Sequence, residues 1–285
     1  MHWDTSRHRI DLSAARVMAI VNLTPDSFSD GGRLGSTAAA LAHCERLLRD
    51  GAHILDIGGE SSRPGIPPVT LDEELVRVLP VLREAVTLGV PISVDSCKPE
   101  VMRRSLDLGV DIVNDITGMR HTEARQVVAG HPRCGVCLMH MHGEPQSMQQ
   151  SPMQGDAVPQ VAQFLRHASD ALRELGVAPR RIAWDPGIGF GKTVAQNFAL
   201  LARQGELLAS GYALLVGWSR KSSLGMVTGL GIDERLPASI AAALLAVERG
   251  AHVVRVHDVK ETVAALKVRE AMLAAANNEG RDPDS

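Results

Sequence analysis

Aromatic side chains are scarce in this chain: Phe, Trp and Tyr make up 3% of its 285 residues, with a single tyrosine. A core built without them must rely on aliphatic packing, which suits a barrel interior layered with Val, Ile and Leu, although other α/β architectures share that composition. A large excess of charge of either sign is also missing. The formal net charge is −3 and no basic stripe stands out, so nothing points to a nucleic-acid partner. The longest apolar run, residues 238–247, is interrupted by Ser239 and is too short to span a bilayer. The opening residues Met1-His2-Trp3-Asp4-Thr5-Ser6-Arg7 lack the apolar centre of a secretion signal, so no membrane partner and a cytoplasmic location are expected.

Cysteine is sparse too. Cys44 and Cys97 stand alone, and Cys134 with Cys137 forms one C-x-x-C that has no second pair to complete a zinc site. It lies at the entry of an expected buried strand, where cysteine behaves as a small apolar residue. No Pro/Gly/Ser-rich linker divides the chain, which is expected to form one domain over 1–276 followed by a disordered polar tail at 277–285.

What the chain does have is eight short aliphatic runs, each ending in polar residues: Asn22, Asp56, Asp95, Asn114, His140, Asp185, then Ser219 with Arg220 and Lys221, and finally Arg255 with His257. The pattern predicts strands over 17–23, 53–57, 92–94, 112–113, 135–139, 182–184, 213–216 and 253–256. Helical patterns cover 37–49, 72–88, 123–129, 157–175, 195–208, 236–248 and 259–276, and Pro99 suits the first turn of another helix. Strands alternating with helices call for a parallel sheet, and eight such units favour a closed (β/α)8 TIM barrel with its active site at the carboxyl ends of the strands.

The strand-end segments carry chemistry. Asn22-Leu23-Thr24-Pro25-Asp26-Ser27-Phe28-Ser29-Asp30-Gly31-Gly32 is rich in oxygens and glycines; it can close over a phosphate or a metal, or serve as a turn-rich surface loop. In Asp56-Ile57-Gly58-Gly59-Glu60-Ser61-Ser62-Arg63-Pro64-Gly65, Arg63 can clamp an anion or pair with Glu60. Asp95 and Asn114 can hydrogen-bond a flat, donor-rich heterocycle, whereas a structural role would have Asp95 cap the helix near Pro99. Asp185-Pro186-Gly187-Ile188-Gly189-Phe190-Gly191-Lys192-Thr193 resembles a phosphate loop but has Pro186 where the P-loop needs its first glycine. Lys221, Arg255 and His257, with a helix starting near Ser222, suggest an anion site after the last two strands. His140 and His142 share one side of an extended chain, with no third ligand nearby to make a zinc cage.

Met18 to Gly32, Asp56 to Gly65, Asp185 to Thr193, Ser219-Arg220-Lys221-Ser222 and Arg255-Val256-His257-Asp258, taken in this order, closely resemble the dihydropteroate synthase family, pterin-binding TIM barrels of folate biosynthesis that are sulfonamide targets. The resemblance implies a transferase joining 7,8-dihydropterin-6-ylmethyl diphosphate to 4-aminobenzoate, giving dihydropteroate and diphosphate, with Mg2+ as cofactor and a homodimer as the assembly. It implies that Asn22 ligates the magnesium and that Arg63, Arg255 and His257 hold the diphosphate. Asp95, Asn114, Asp185 and Lys221 would hydrogen-bond the pterin, on which Arg255 would also stack. Ser62, Pro64, Phe28, Phe190 and Ser222 would border the aminobenzoate.

The chain departs from the common family pattern at four places. Ser62 and Ser96 stand where threonine is usual, His142 replaces a frequent glutamine, and Ser223-Leu224 replaces a frequent Phe-Ile. The last change would remove an aromatic beside the aminobenzoate. Two alternatives are a pterin-dependent methyltransferase barrel, which needs no diphosphate clamp, and a silent paralogue, which should have lost Asn22, Asp95 or Lys221.

Overall fold

The computed structural model describes residues 1–23, 32–61 and 66–279, with the side chains of 32–36 and 277–279 left aside. A short antiparallel hairpin, β1 (His2–Asp4) and β2 (Arg9–Asp11), comes first. Eight parallel strands follow: β3 (Arg16–Asn22), β4 (Ile54–Gly58), β5 (Ile92–Asp95), β6 (Ile112–Asp115), β7 (Gly135–Met139), β8 (Ile182–Asp185), β9 (Ala213–Val216) and β10 (Val253–Val256). They close in sequence order, with β10 pairing β3, so the chain is a (β/α)8 barrel as the spacing predicts.

The outer layer comprises α1 (Gly32–Arg49), α2 (Leu71–Ala85), α3 (Pro99–Asp107), α4 (Thr122–Gly130) and α5 (Ala157–Glu174). It continues with α6 (Val194–Ala202), α7 (Gly205–Leu208), α8 (Ser222–Thr228), α9 (Leu236–Glu248) and α10 (Val259–Glu279). Several helices start where local chemistry dictates. Thr70 with Glu73 and Thr193 with Gln196 form capping boxes for α2 and α6. Pro99 opens α3 as expected, where its missing N–H leaves no unmet bond.

Strand alternation sorts the side chains. Val17, Ala19, Val21, Leu55, Ile57, Val94, Leu138, Trp184, Val216 and Val254 pack outward beneath the helices. Met18, Ile54, Ile112, Cys137, Ala183, Ala213, Leu215 and Val253 form a separate cluster that fills the barrel, together with Trp3 and Ile10 from the hairpin. Two residues farther along the same inward faces come the polar strand ends. Register sets Asn22 opposite Gly58, Gly58 opposite Asp95, and Asp95 opposite Asn114. A side chain at Gly58 would press on Asp95 Cβ at 3.2 Å, so glycine leaves room for that carboxylate.

Three details differ from expectation. The helix expected over 195–208 breaks into α6 and α7 because Gln204 is buried, its Nε2 donating to the carbonyls of Ala246 and Arg249 at 2.9 and 3.0 Å. The last helix runs through Glu279, past the expected boundary at 276; residues 280–285 lie outside the described ones. The hairpin was not anticipated: its strands are three residues each, too short for periodicity to show.

Candidate active site

At the carboxyl ends of the strands the polar tips converge on a cavity of about 540 Å3. Asn22, Asp95, Asn114, Asp185, Phe190, Lys221, Ser222, Arg255 and His257 all line it. Phe28, Ser62, Arg63 and Pro64, also expected at the site, lie outside the described residues. A larger hollow, about 650 Å3, opens at the opposite face near Ile182 and Ala213. Its Arg173 and Arg180 are solvent-exposed and already paired with Asp170 and Asp4, so it lacks the convergent buried groups of the mouth.

Arg255 organises the mouth. Its Nε donates to Asp56 Oδ2 at 2.6 Å and its Nη2 to Asp95 Oδ2 at 2.6 Å. Asp56 is fully buried and also accepts from Asn114 Nδ2 at 3.0 Å. The strand ends of β4, β5, β6 and β10 are thereby tied into one charged network. Sequence reasoning puts Asp56 at a strand end without giving it a role; its inward register beside Ile20 and Ser93 is the signal that could have found it.

Burial pushes Asp95 up to about 7, with Arg255 opposing and Asp56, Glu74 and Asp115 adding to the rise. Arg255 stays firmly protonated because Asp56 and Asp95 outweigh the cost of its burial. Asp95 does not cap α3: the cap residue there is Lys98, which makes no side-chain capping bond. Lys98 instead joins Glu60 and the buried Glu74, so Glu60 has a partner other than the one considered from sequence.

The opposite wall is the loop after β8. Asp185 is buried and raised above the usual carboxylate range by that burial, although Gly187 N–H donates to its Oδ1 at 2.7 Å and Lys221, Arg255 and Lys192 favour its charge. Lys221 sits with its ammonium 4.1 Å from the Phe190 ring centroid. Burial pushes it down to about 8, against the pull of Asp185. At the third wall Ser219 Oγ lies 3.0 Å from His257 Nδ1 and accepts from the His257 backbone N–H at 3.2 Å. Arg220, in the left-handed region at φ 60°, turns away to Asp258, its Nη2 donating to Oδ1 at 2.6 Å.

Three other polar positions have structural explanations. Asp115 turns into the β6–α4 connection, accepting from the Thr117 and Met119 N–H groups at 2.8 Å each. His140 is buried edge-on to Phe164 with ring centroids 5.1 Å apart, and burial pushes it down to about 2, so it is a neutral packing residue. Ser223 does not border the mouth: it is buried beneath it and accepts from Asn197 Nδ2 at 2.9 Å, while Leu224 joins the core. The departure expected to remove an aromatic from the pocket therefore falls in the packing below.

For a metal, the mouth offers Asn22 as a hard oxygen donor, and among the described residues no three His, Cys, Asp or Glu side chains gather to hold an ion. Such a donor fits a magnesium ion that arrives with substrate phosphates and keeps several waters.

Comparison with known proteins agrees with this geometry. The family model for pterin binding enzymes matches residues 18–257. A dihydropteroate synthase from Neisseria meningitidis serogroup B is 49% identical over 276 residues, covering 95% of this chain and 97% of its own. The crystal structure of Burkholderia cenocepacia dihydropteroate synthase complexed with 7,8-dihydropteroate is 47% identical, with a TM-score of 0.89 over 97% of this chain and 98% of that one. A Xanthomonas albilineans dihydropteroate synthase structure with 4-aminobenzoic acid superposes with a TM-score of 0.89 at 44% identity, covering 96% and 99% of the two chains.

Proposed function

The chain belongs to the dihydropteroate synthase family of pterin-binding enzymes, and from that we infer how its barrel mouth joins 7,8-dihydropterin-6-ylmethyl diphosphate to 4-aminobenzoate. The observation that carries the inference is Arg255 fixed between Asp56 and Asp95, in the same cavity as Asp185 and Lys221. A flat ring entering there meets carboxylates for its N–H groups, Asn114 and Lys221 for its acceptors, and a guanidinium plane to stack on.

The arylamine is a weak nucleophile, so the methylene C–O bond breaks well before attack. Its electron pair leaves with the diphosphate, and positive charge spreads from the methylene carbon into the pterin. Asp95 and Asp185, fixed in place before the reaction, stabilise that cation. Arg63, His257 and the Arg255 edge not used by the two aspartates hold the departing anion. Asn22 would hold magnesium, which when bound neutralises diphosphate charge. The aryl nitrogen then forms the new C–N bond and gives up one proton. Phe28, Ser62, Pro64, Phe190 and Ser222 would border the aminobenzoate, with Ser222 N–H facing its carboxylate. Water must be kept from the cation, which it would otherwise hydrolyse.

A homodimer and a cytoplasmic location belong to the same proposal. Supporting the first, α10 exposes Val268 and Met272, at 72% and 55% of their surface. For the second, no helix among the described residues is long and apolar enough to cross a membrane. The test is diphosphate release on mixing the purified protein with both substrates and magnesium. Release must depend on both substrates; release no greater than in the mixtures lacking one of them refutes the reaction.

A further inference from the structure

We propose that Lys192 is a positioning residue of the condensation: its ammonium fastens the end of β7 to the glycine loop after β8 and so sets where Asp185 and Phe190 meet the pterin. The proposal rests on the pterin lying against Asp185.

Lys192 is 4% exposed. Its Nζ donates to three backbone carbonyls, those of Gly187, Phe190 and His140, at 2.8, 3.1 and 3.2 Å. A lysine ammonium has three N–H donors, and here each has an acceptor, none of them a carboxylate. Buried carbonyls turned toward one point repel unless a donor sits among them.

The chain brings them together because backbone packs directly on backbone. Gly187 and Gly191 adopt φ +64° and +65°; a Cβ on either would lie 1.9 Å from the His140 oxygen or 2.2 Å from the His142 oxygen. Lys192 is placed from the other side by α6, whose capping box on Thr193 begins at the next residue. Gly189 is tied independently through its N–H to Asn197 Oδ1 at 2.8 Å.

The loop held this way follows directly on Asp185 and supplies Gly189 and Phe190 to the mouth, and Phe190 underlies Lys221. Lys192 also acts through charge. The groups that face Asp185 are Lys192 from its own loop, Lys221 before α8 and Arg255 from β10, with Cys137 of β7 and the aspartates 56 and 95 beyond. Burial pushes Lys192 down to about 7. Below that value the ammonium is the dominant form. A cation there favours the carboxylate; removing it raises the Asp185 pKa and moves any dependence on that carboxylate to higher pH.

Two variants of the whole chain test the idea. Lys192→Met fills a similar volume with neither donor nor charge, and Lys192→Gln keeps amide donors without charge. The methionine variant should raise KM for the pterin diphosphate at least about tenfold, as expected when reacting groups are misplaced. Loss of the charge should move the Asp185 contribution to the acid limb of kcat/KM to higher pH in both variants, a shift that a purely structural lysine would not produce. Thermal melting establishes folding, and if the methionine variant does not fold, the acid limb of the glutamine variant decides. Folded protein with an unchanged KM and an unmoved limb overturns the proposal. Asp185→Asn, assayed alongside, separates the premises: undiminished pterin affinity there removes the pterin from Asp185 and the proposal with it. Loss in Asp185→Asn with none in the Lys192 variants overturns the role of Lys192 alone.

Discussion

Arg255 stands between two carboxylates that would repel each other without it, so its contribution to stability cannot be separated from its contribution to binding by a single deletion. Arg255→Ala leaves Asp56 buried without its counter-charge, and a broken buried pair costs about 3–5 kcal/mol. Adding Asp56→Asn should recover most of that loss in urea unfolding while pterin affinity stays low; a double variant as unstable as the single one would show that the charge pairing is not the cause. Asp95 behaves differently. Its folded-state pKa of about 7 lies above the ordinary value of 3.8, so the folded protein holds this proton more tightly than the unfolded chain does. Ionising Asp95 therefore weakens the fold progressively as pH rises through that window. Asp95→Asn should lower turnover by orders of magnitude, yet melt no lower than wild type at pH 8, with its advantage shrinking toward pH 4. Near-normal turnover would remove Asp95 from cation stabilisation, and a melting advantage that grows on acidification would contradict the sign.

At the level of elements, what could be read from the sequence is whatever repeats. The β-strands and major helices announce themselves by period, and their polar ends by position, because Asn22, Asp95, Asn114, Asp185, Lys221, Arg255 and His257 all reach one cavity. Pairings between distant strands have no periodic trace: the Asp56–Arg255 bond joins residues 199 apart. The hairpin is the clearest omission. Its Trp3 is fully buried in the barrel floor and donates through Nε1 to Arg181 O at 2.9 Å, a contact that spans 178 residues. In a chain poor in aromatics, a tryptophan near the start is the one hint of that role. Trp3→Ala should cost about 3–5 kcal/mol in urea unfolding, with KM for both substrates unchanged because the floor lies at the opposite end from the mouth. A selective rise in either KM would mean that the floor and the mouth are coupled.

Over the whole molecule, the sequence makes the convergence of the strand ends readable because a closed parallel barrel leaves them only one place to meet. How the outer helices are covered follows from no such rule. The stretch from Ala271 through Met272, Leu273 and Ala274 to Ala276 is apolar and exposed at every position, where a helix that only covered a barrel would show a polar outer face. Val268 lies one turn earlier on the same helix, and the ion pair of Arg269 with Glu248 holds it against α9, which exposes Leu245. An apolar surface spread over two packed helices, far from the mouth, fits a second copy of the chain, as an isologous contact between identical faces would require. Charges introduced at its centre, Val268→Asp with Met272→Asp, would face their own symmetry mates across such a contact. Sedimentation should therefore show a dimer for the wild-type protein and a monomer for the double variant, with the fold retained because both side chains are exposed. A monomeric wild type would leave this surface for another partner, and a double variant that stays dimeric would place the contact elsewhere.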